Sequence, residues 1–168
     1  SQLPILVDYE SESITIFEGS DFTPPEGGDE IEFFLTSSVP TIRAKLLSVE
    51  GDFLVDLGNA FGLIVHEQFV RSSSLTEHLQ DFRDLGSSVG GIGGTLAGQS
   101  AFAESFEFGN IRIDSLRVIL PAAADGLSGS QELAGNIGNR ILEDFSIIFD
   151  YAGSRIIFYP ADNSQVEQ

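Results

Sequence analysis

A chain of 168 residues with 8 Lys plus Arg against 26 Asp plus Glu carries a formal charge of −18, so phosphate backbones and anionic lipid surfaces repel it. Its 42% apolar residues, 14 Phe among them, suit one domain with a sizeable core and exclude a disordered segment. Cysteine is absent and His66 and His78 are the only imidazoles, which excludes disulfides and thiolate chemistry and leaves neither a metal site nor a cofactor expected.

Period-2 alternation dominates in chain order. Ile14-Thr15-Ile16-Phe17, Glu30 to Leu35, Thr41 to Leu46, Phe53-Leu54-Val55, Phe61 to Val65, Phe102 to Phe108 and Ile111 to Leu120 read as short strands. Pro24-Pro25-Glu26-Gly27-Gly28, Glu50-Gly51-Asp52 and Phe108-Gly109-Asn110 supply the turn signals between them, and Asp125-Gly126 is read as another turn. Ser74-x-x-Glu77 has the capping-box pattern, with Leu75, Leu79, Phe82 and Leu85 on one helical face and Gly86 placed to stop the helix. A shorter helix is expected over 139–144. No apolar run approaches the ~18 residues that span a bilayer. The chain starts at Ser1 and has no Met, which predicts a piece of a longer protein.

The two ends echo each other. Ile5-Leu6-Val7-Asp8-Tyr9 to Phe17 aligns without gaps to Ile147-Ile148-Phe149-Asp150-Tyr151 to Tyr159, with Asp-Tyr at the turn of both. Two amphipathic hairpins can look alike by chance; the sharper reading is that the chain opens with the closing hairpin of a preceding, homologous unit.

Three segments carry candidate chemistry. Phe53-Leu54-Val55-Asp56-Leu57-Gly58-Asn59 sets an acid at the end of an apolar strand, where burial is costly unless the carboxylate is hydrogen-bonded; a plain turn cap is the alternative. Gly86 to Gly98 holds repeated glycines, suiting a hairpin tip that closes over a ligand or a loop without function, and it lacks the spacing of a phosphate cradle. Leu133-Ala134-Gly135-Asn136-Ile137-Gly138, a short helix, Phe145, a strand and Asp150-Tyr151 complete the order.

In that order the chain resembles the retropepsin-like aspartyl proteases, relatives of pepsin, across roughly residues 30 to 160. The resemblance implies a mainly β fold: a closed β-barrel lobe with one or two short helices, residues 21–168 forming the protease-like domain and residues 1–20 the closing hairpin of a preceding homologous lobe or N-terminal interface strands. It implies Asp56 as catalytic carboxylate, Leu57, Gly58 and Asn59 as its loop, Gly90, Gly91, Ile92, Gly93 and Gly94 as the flap, and Gly135, Ile137 and Gly138 as the supporting turn. Leu57 stands where the family has Thr, whose hydroxyl knits the active-site loops together. Asn59 stands where Ser, Thr or Ala is usual, and its amide is expected to orient a carboxylate.

Such chemistry needs two carboxylates sharing one proton. The second is expected from a missing N-terminal lobe or a two-fold-related chain. The function implied is an aspartic-type endopeptidase, or one lobe of one, acting on polypeptide; the alternative is an inactive protease-like domain that binds or scaffolds peptides. Nucleic acid and membrane are not expected partners. Acidity without cysteine suits a periplasmic or extracellular protein. His66 and His78 are read as structural or solvent-facing.

Overall fold

Aromatic side chains decide where the core forms. Phe53, Phe106, Phe108, Phe158 and Phe145 touch in series with ring centroids 5.1 to 6.3 Å apart, mostly edge to face, the arrangement the ring quadrupole favours. Ile42, Leu46, Leu63, Val65 and Ile137 fill the space around them and are fully buried. The computed structural model describes residues 3–18, 22–91, 94–122 and 132–161, with the side chains of 87–91 and 94–96 left out. Ile92 and Gly93 of the expected flap, and the expected Asp125-Gly126 turn, lie outside the described residues.

Six strands make a closed barrel: β4 (Val39–Leu46), β5 (Val49–Val55), β10 (Gly135–Ile137), β6 (Leu63–Val65), β9 (Ile111–Pro121) and β8 (Gly94–Phe108), in that spatial order. The ring closes where Lys45 and Leu46 of β4 pair with Glu107 and Phe106 of β8. Most neighbours are antiparallel, but β10 runs parallel to β5 and β6 parallel to β9. From β4 the sheet continues outward through β3 (Asp29–Thr36), β12 (Arg155–Pro160), β11 (Phe145–Asp150) and β1 (Ile5–Asp8) to β2 (Ser13–Ile16) at its edge. At the other edge, β7 (Gln80–Gly91) forms a long hairpin with β8. The fold is mainly β with two short helices, α1 (Glu67–Ser72) and α2 (Asn139–Leu142), as the resemblance implied.

The echo at the termini has a geometric counterpart. β1 lies antiparallel beside β11 with Ile5 opposite Phe149, Leu6 opposite Ile148 and Val7 opposite Ile147. The alignment that superposes Ile5 on Ile147 also superposes Leu6 on Ile148, so a local two-fold axis passes through the Leu6–Ile148 pair. Both hairpins turn alike. Glu12 and its counterpart Ser154 have φ of 51° and 53°, and in each turn the Asp carboxylate accepts a backbone N–H, from Glu10 at Asp8 and from Gly153 at Asp150. The two turns are anchored differently: Asp8 also accepts from the Ser11 and Ser146 hydroxyls, whereas the buried Asp150 meets Arg155 Nε at 2.9 Å, and Arg155 reaches Glu30.

Two local expectations fail for tertiary reasons. Residues 74–86 do not form the capped helix: Leu75–Glu77 make one 3₁₀ turn, Ser74 is left-handed at φ 55° with no capping bond, and Phe82 and Leu85 belong to β7. Leu75 and Leu79 are buried but Phe82 is exposed, so the helical stripe has no core to face beyond its first turn, and pairing with β8 wins. The α-helix that does form lies earlier, at Glu67–Ser72, with Val70 buried and Arg71 paired to Glu67. Likewise Glu50-Gly51-Asp52 is not a turn but the middle of β5, and the chain reverses at Leu47 and Ser48, with Leu47 at φ 59°. Gly51 is there because Ala134 and the Phe69 ring sit where its Cβ would be.

Gly135 has the same kind of role in β10. A Cβ there would run into the Ile64 carbonyl oxygen and come 3.1 Å from Phe53. Gly135→Ala is therefore expected to cost about 3 kcal/mol in denaturant unfolding. Gly62→Ala, whose Cβ would make only 3.8 Å contacts, should stay within about 0.5 kcal/mol of the parent.

Candidate active site

Asp56 follows the last residue of β5, where the strand leaves the barrel between β4 and β10. Its backbone N–H still donates to the Ile137 carbonyl at 2.9 Å, so β10 carries the ladder one residue past the strand. The chain then folds back: Asn59 N–H donates to the Asp56 carbonyl at 3.1 Å, and Gly58 N–H donates to Asp56 Oδ1 at 2.9 Å. The other carboxylate oxygen, Oδ2, accepts from Asn136 Nδ2 at 3.2 Å. Each carboxylate oxygen thus has its own hydrogen-bond donor.

Leu57 carries no hydroxyl, and its side chain is 40% exposed. The loop is held from elsewhere. Asn139, the first residue of α2, donates through Nδ2 to the Leu57 carbonyl at 3.0 Å and through its backbone N–H to the Asn59 carbonyl at 2.8 Å. Asn139 Oδ1 in turn accepts from the Tyr9 hydroxyl at 2.9 Å, which ties the N-terminal hairpin to the loop. Burial raises the Tyr9 pKa above its ordinary value, with Glu143 adding to the effect, so the hydroxyl remains a donor.

Asn59 does not orient the Asp56 carboxylate through its amide as expected. Its Oδ1 accepts the Phe61 N–H at 2.9 Å, while its buried Nδ2 lies against Gly138 with no hydrogen-bond partner among the described residues. The turn geometry explains this: an Asn two residues before an amide closes a local ring more readily than it reaches back across a glycine. Gly138 is needed in return, since a Cβ there would overlap both Asn59 and the Phe61 carbonyl. Gly135 and Ile137, expected in a supporting turn, lie in the strand β10, where Ile137 is opposite Val55, the residue before Asp56.

Of the expected flap, Gly90, Gly91 and Gly94 are in the β7–β8 hairpin, with Gly90 opposite Thr95 and Gly91 opposite Gly94. Register shifts between Gln80 and Arg83, Asp84 and Gly86, and Gly86 and Val89 bend this arm. A cleft of about 660 Å³ opens between α1 and the base of the hairpin, lined by Val65, Val70, Gly98, Leu120 and Pro121 with Arg71 and Asp84 at its rim. Asp56 is not among its walls. No group of three or more His, Asp or Glu side chains converges as metal ligands among the described residues.

His66, expected to be structural or solvent-facing, is in the protein interior. It is 1% exposed, just after β6, with Nε2 2.8 Å from Asn136 Oδ1 and Nδ1 3.2 Å from the Leu133 carbonyl. Asn136 thus stands between Asp56 and His66. The signal for Asn136 was a polar residue inside an apolar, glycine-flanked run; His66 had no such signal, and only the pairing of β6 with β10 brings them together. His78 is exposed.

No family model matches the chain, and no curated protein matches it. Solved structures do. A retropepsin-like aspartic protease from Rickettsia conorii matches with 16% identity and a TM-score of 0.50, over 79% of this chain and 89% of that one. Basic 7S globulin from soybean matches with 12% identity and a TM-score of 0.52, over 98% of this chain but 52% of its own length, so this chain spans about half of it. EIAV protease, complexed with the inhibitor HBY-793, matches with 17% identity and a TM-score of 0.45, over 63% of this chain and 86% of that one. The shared feature is the fold, that of an aspartic-protease lobe.

Burial lowers the His66 pKa below its ordinary value; its two hydrogen bonds pull the other way and lose. The unfolded chain therefore binds a proton near pH 6.5 that the folded chain refuses. His66 contributes stability that is full above that pH and is lost as pH falls towards the depressed folded value. In chemical denaturation from pH 7 down to 5, the stability of the parent relative to His66→Gln should decline; a constant difference would contradict this placement of the ring.

Proposed function

We propose that this domain is one catalytic half of an aspartic-type endopeptidase and that Asp56 is its reacting carboxylate. The observation that carries the reading is the setting of Asp56. It ends an inner barrel strand of a retropepsin-like lobe, with Oδ1 held by the Gly58 N–H and Oδ2 by an amide. Fixed in that way, one carboxylate can act as base towards a water while a second, carrying the shared proton, polarises the scissile carbonyl.

The described residues place no second carboxylate on Asp56. We assign that role to a homologous lobe related to this one by the two-fold axis at Leu6–Ile148, with β1–β2 as its closing hairpin, or to a second copy about an axis of its own. The substrate is an extended polypeptide, which can add its backbone to the β7–β8 arm as a further strand and lay alternate side chains in the adjoining cleft.

A second reading rests on Leu57. Its half-exposed apolar side chain, in the position of a hydroxyl, suits a lobe that binds peptide without cleaving it.

Asp56→Asn separates the two. The carboxamide keeps an acceptor for Gly58 and removes the ionisable group, so the melting temperature should stay within a few degrees of the parent. Cleavage of an unstructured polypeptide, assayed between about pH 3 and 8 with the lobes assembled, should fall at least 1000-fold. Peptide binding with no cleavage by the parent at any of these pH values favours the binding module.

A further inference from the structure

The buried residues behind Asp56 form a chain that the mechanism above does not use. Oδ2 of Asp56 meets the Asn136 amide at 3.2 Å, the far side of that amide meets His66 Nε2 at 2.8 Å, and His66 Nδ1 ends on the Leu133 carbonyl at 3.2 Å. His66 is sealed from solvent and Asn136 nearly so. The chain ends in a carbonyl that can only accept, so its donors are limited in number.

Counting protons shows why this matters. With Asp56 ionised, Asn136 must present its NH₂ to the carboxylate, as it does here, and its oxygen then faces His66 Nε2. A neutral ring has one N–H for two acceptors, and the shorter 2.8 Å contact takes it: Nε2 is protonated and Nδ1 is bare against Leu133. When Asp56 takes a proton on Oδ2, the new hydroxyl needs an acceptor. A half-turn of the Asn136 amide supplies its oxygen to that hydroxyl and its NH₂ to Nε2. The ring proton now belongs on Nδ1, where it donates to the Leu133 carbonyl, and every group is paired. One proton enters from solvent, at Asp56; the ring stays neutral and only moves its own proton from Nε2 to Nδ1 by exchange.

We infer that Asn136 and His66 are positioning residues of Asp56: a buried relay in which the protonation state of the carboxylate, the orientation of the Asn136 amide and the tautomer of His66 change together. The inference deepens the reading of Asp56 as the reacting carboxylate and rests on it for its catalytic meaning. In a pair of carboxylates that shares one proton, such a relay gives Oδ2 of Asp56 a hydrogen-bond partner in either state, so the proton can leave and return in one turnover; only Nδ1 of His66, in the ionised state, faces the Leu133 carbonyl without a proton between them. Burial opposes a charged ring and keeps the relay to its two neutral tautomers. The charged residues on the surrounding elements are committed elsewhere: Glu67 to Arg71 in α1, Asp52 to Arg43 in the adjoining pair of strands, and Arg117 of β9 to Asp81. Glu132, next to Leu133, is exposed.

The ring nitrogens of His66 report the relay directly and need no cleavage. In long-range ¹H–¹⁵N spectra of the 168-residue chain, with the Asp56 side-chain carboxyl followed by ¹³C, the protonated nitrogen should change from Nε2 to Nδ1 over the same pH interval in which Asp56 titrates. Asp56→Asn should abolish that pH dependence, and so should Asn136→Leu, which keeps the volume and cuts the link. An unchanged tautomer, a ring that simply takes a second proton as Asp56 titrates, or an exchange that persists in Asp56→Asn would each overturn the relay. Should Asn136→Leu fail to fold, the Asp56→Asn comparison alone still decides it. Absence of cleavage with the tautomer exchange intact would sink the peptidase reading and leave the relay standing, so the two fail separately.

Discussion

Three residues hold the structure together. β10, Gly135-Asn136-Ile137, lies parallel to β5 on one side and antiparallel to β6 on the other, and without it the six-stranded barrel has a gap at its centre. The strand is short and fully buried, so each residue has one thing to do. Gly135 lets two backbones approach, Ile137 fills the core and extends the ladder to Asp56, and Asn136 hydrogen-bonds both the half-buried Asp56 carboxylate and the buried His66 ring. A buried polar group left unpaired costs ~1–3 kcal/mol, so an Asn here is tolerated only because both Asp56 and His66 use it.

From that strand the loop geometry follows. The lobe does not depend on a hydroxyl at position 57, because α2 begins immediately after Gly138 and delivers Asn139 to the loop from the opposite side. Tyr9 completes this support from the N-terminal hairpin, and the Asp56 loop, the helix and the terminal sheet become one hydrogen-bonded unit. The stability of the loop is thus set by backbone and amide groups, with Leu57 left free to face outward.

The terminal sheet carries the symmetry. An axis through Leu6 and Ile148 relates two hairpins whose turns share even the left-handed residue, although that residue is Glu in one and Ser in the other. Neither type favours positive φ on its own account. The same turn geometry reached with different residues is what duplication of a hairpin would leave, and one copy is reinforced by an Arg155–Asp150 pair that the other lacks. At the edge, Ile14 and Ile16 of β2 remain exposed at 70% and 58%, the apolar side of a sheet that has room to continue.

Alternation of apolar and polar residues was enough to locate most strands, and the order of Asp56-x-Gly58, the glycine-rich hairpin and Gly135 to Tyr151 was enough to point to the lobe. These are local signals, written in periods of two and in the spacing of glycines. The failures share a cause. Leu75, Leu79, Phe82 and Leu85 have a helix's spacing, but spacing does not say whether a core lies opposite, and the segment from Gln80 pairs with β8 instead, with Phe82 and Leu85 at its register shifts. Gly51 looked like a turn because the reason for a glycine there, Ala134 and Phe69 pressing on the strand, comes from residues far along the chain. Asp56 could be chosen from the sequence since it terminates an apolar run; its partners could not, because Asn136 and His66 lie 80 and 10 residues away and meet it only where β5, β10 and β6 run side by side. Local periodicity determined the strands, and closure of the barrel alone decided which polar groups would be buried together.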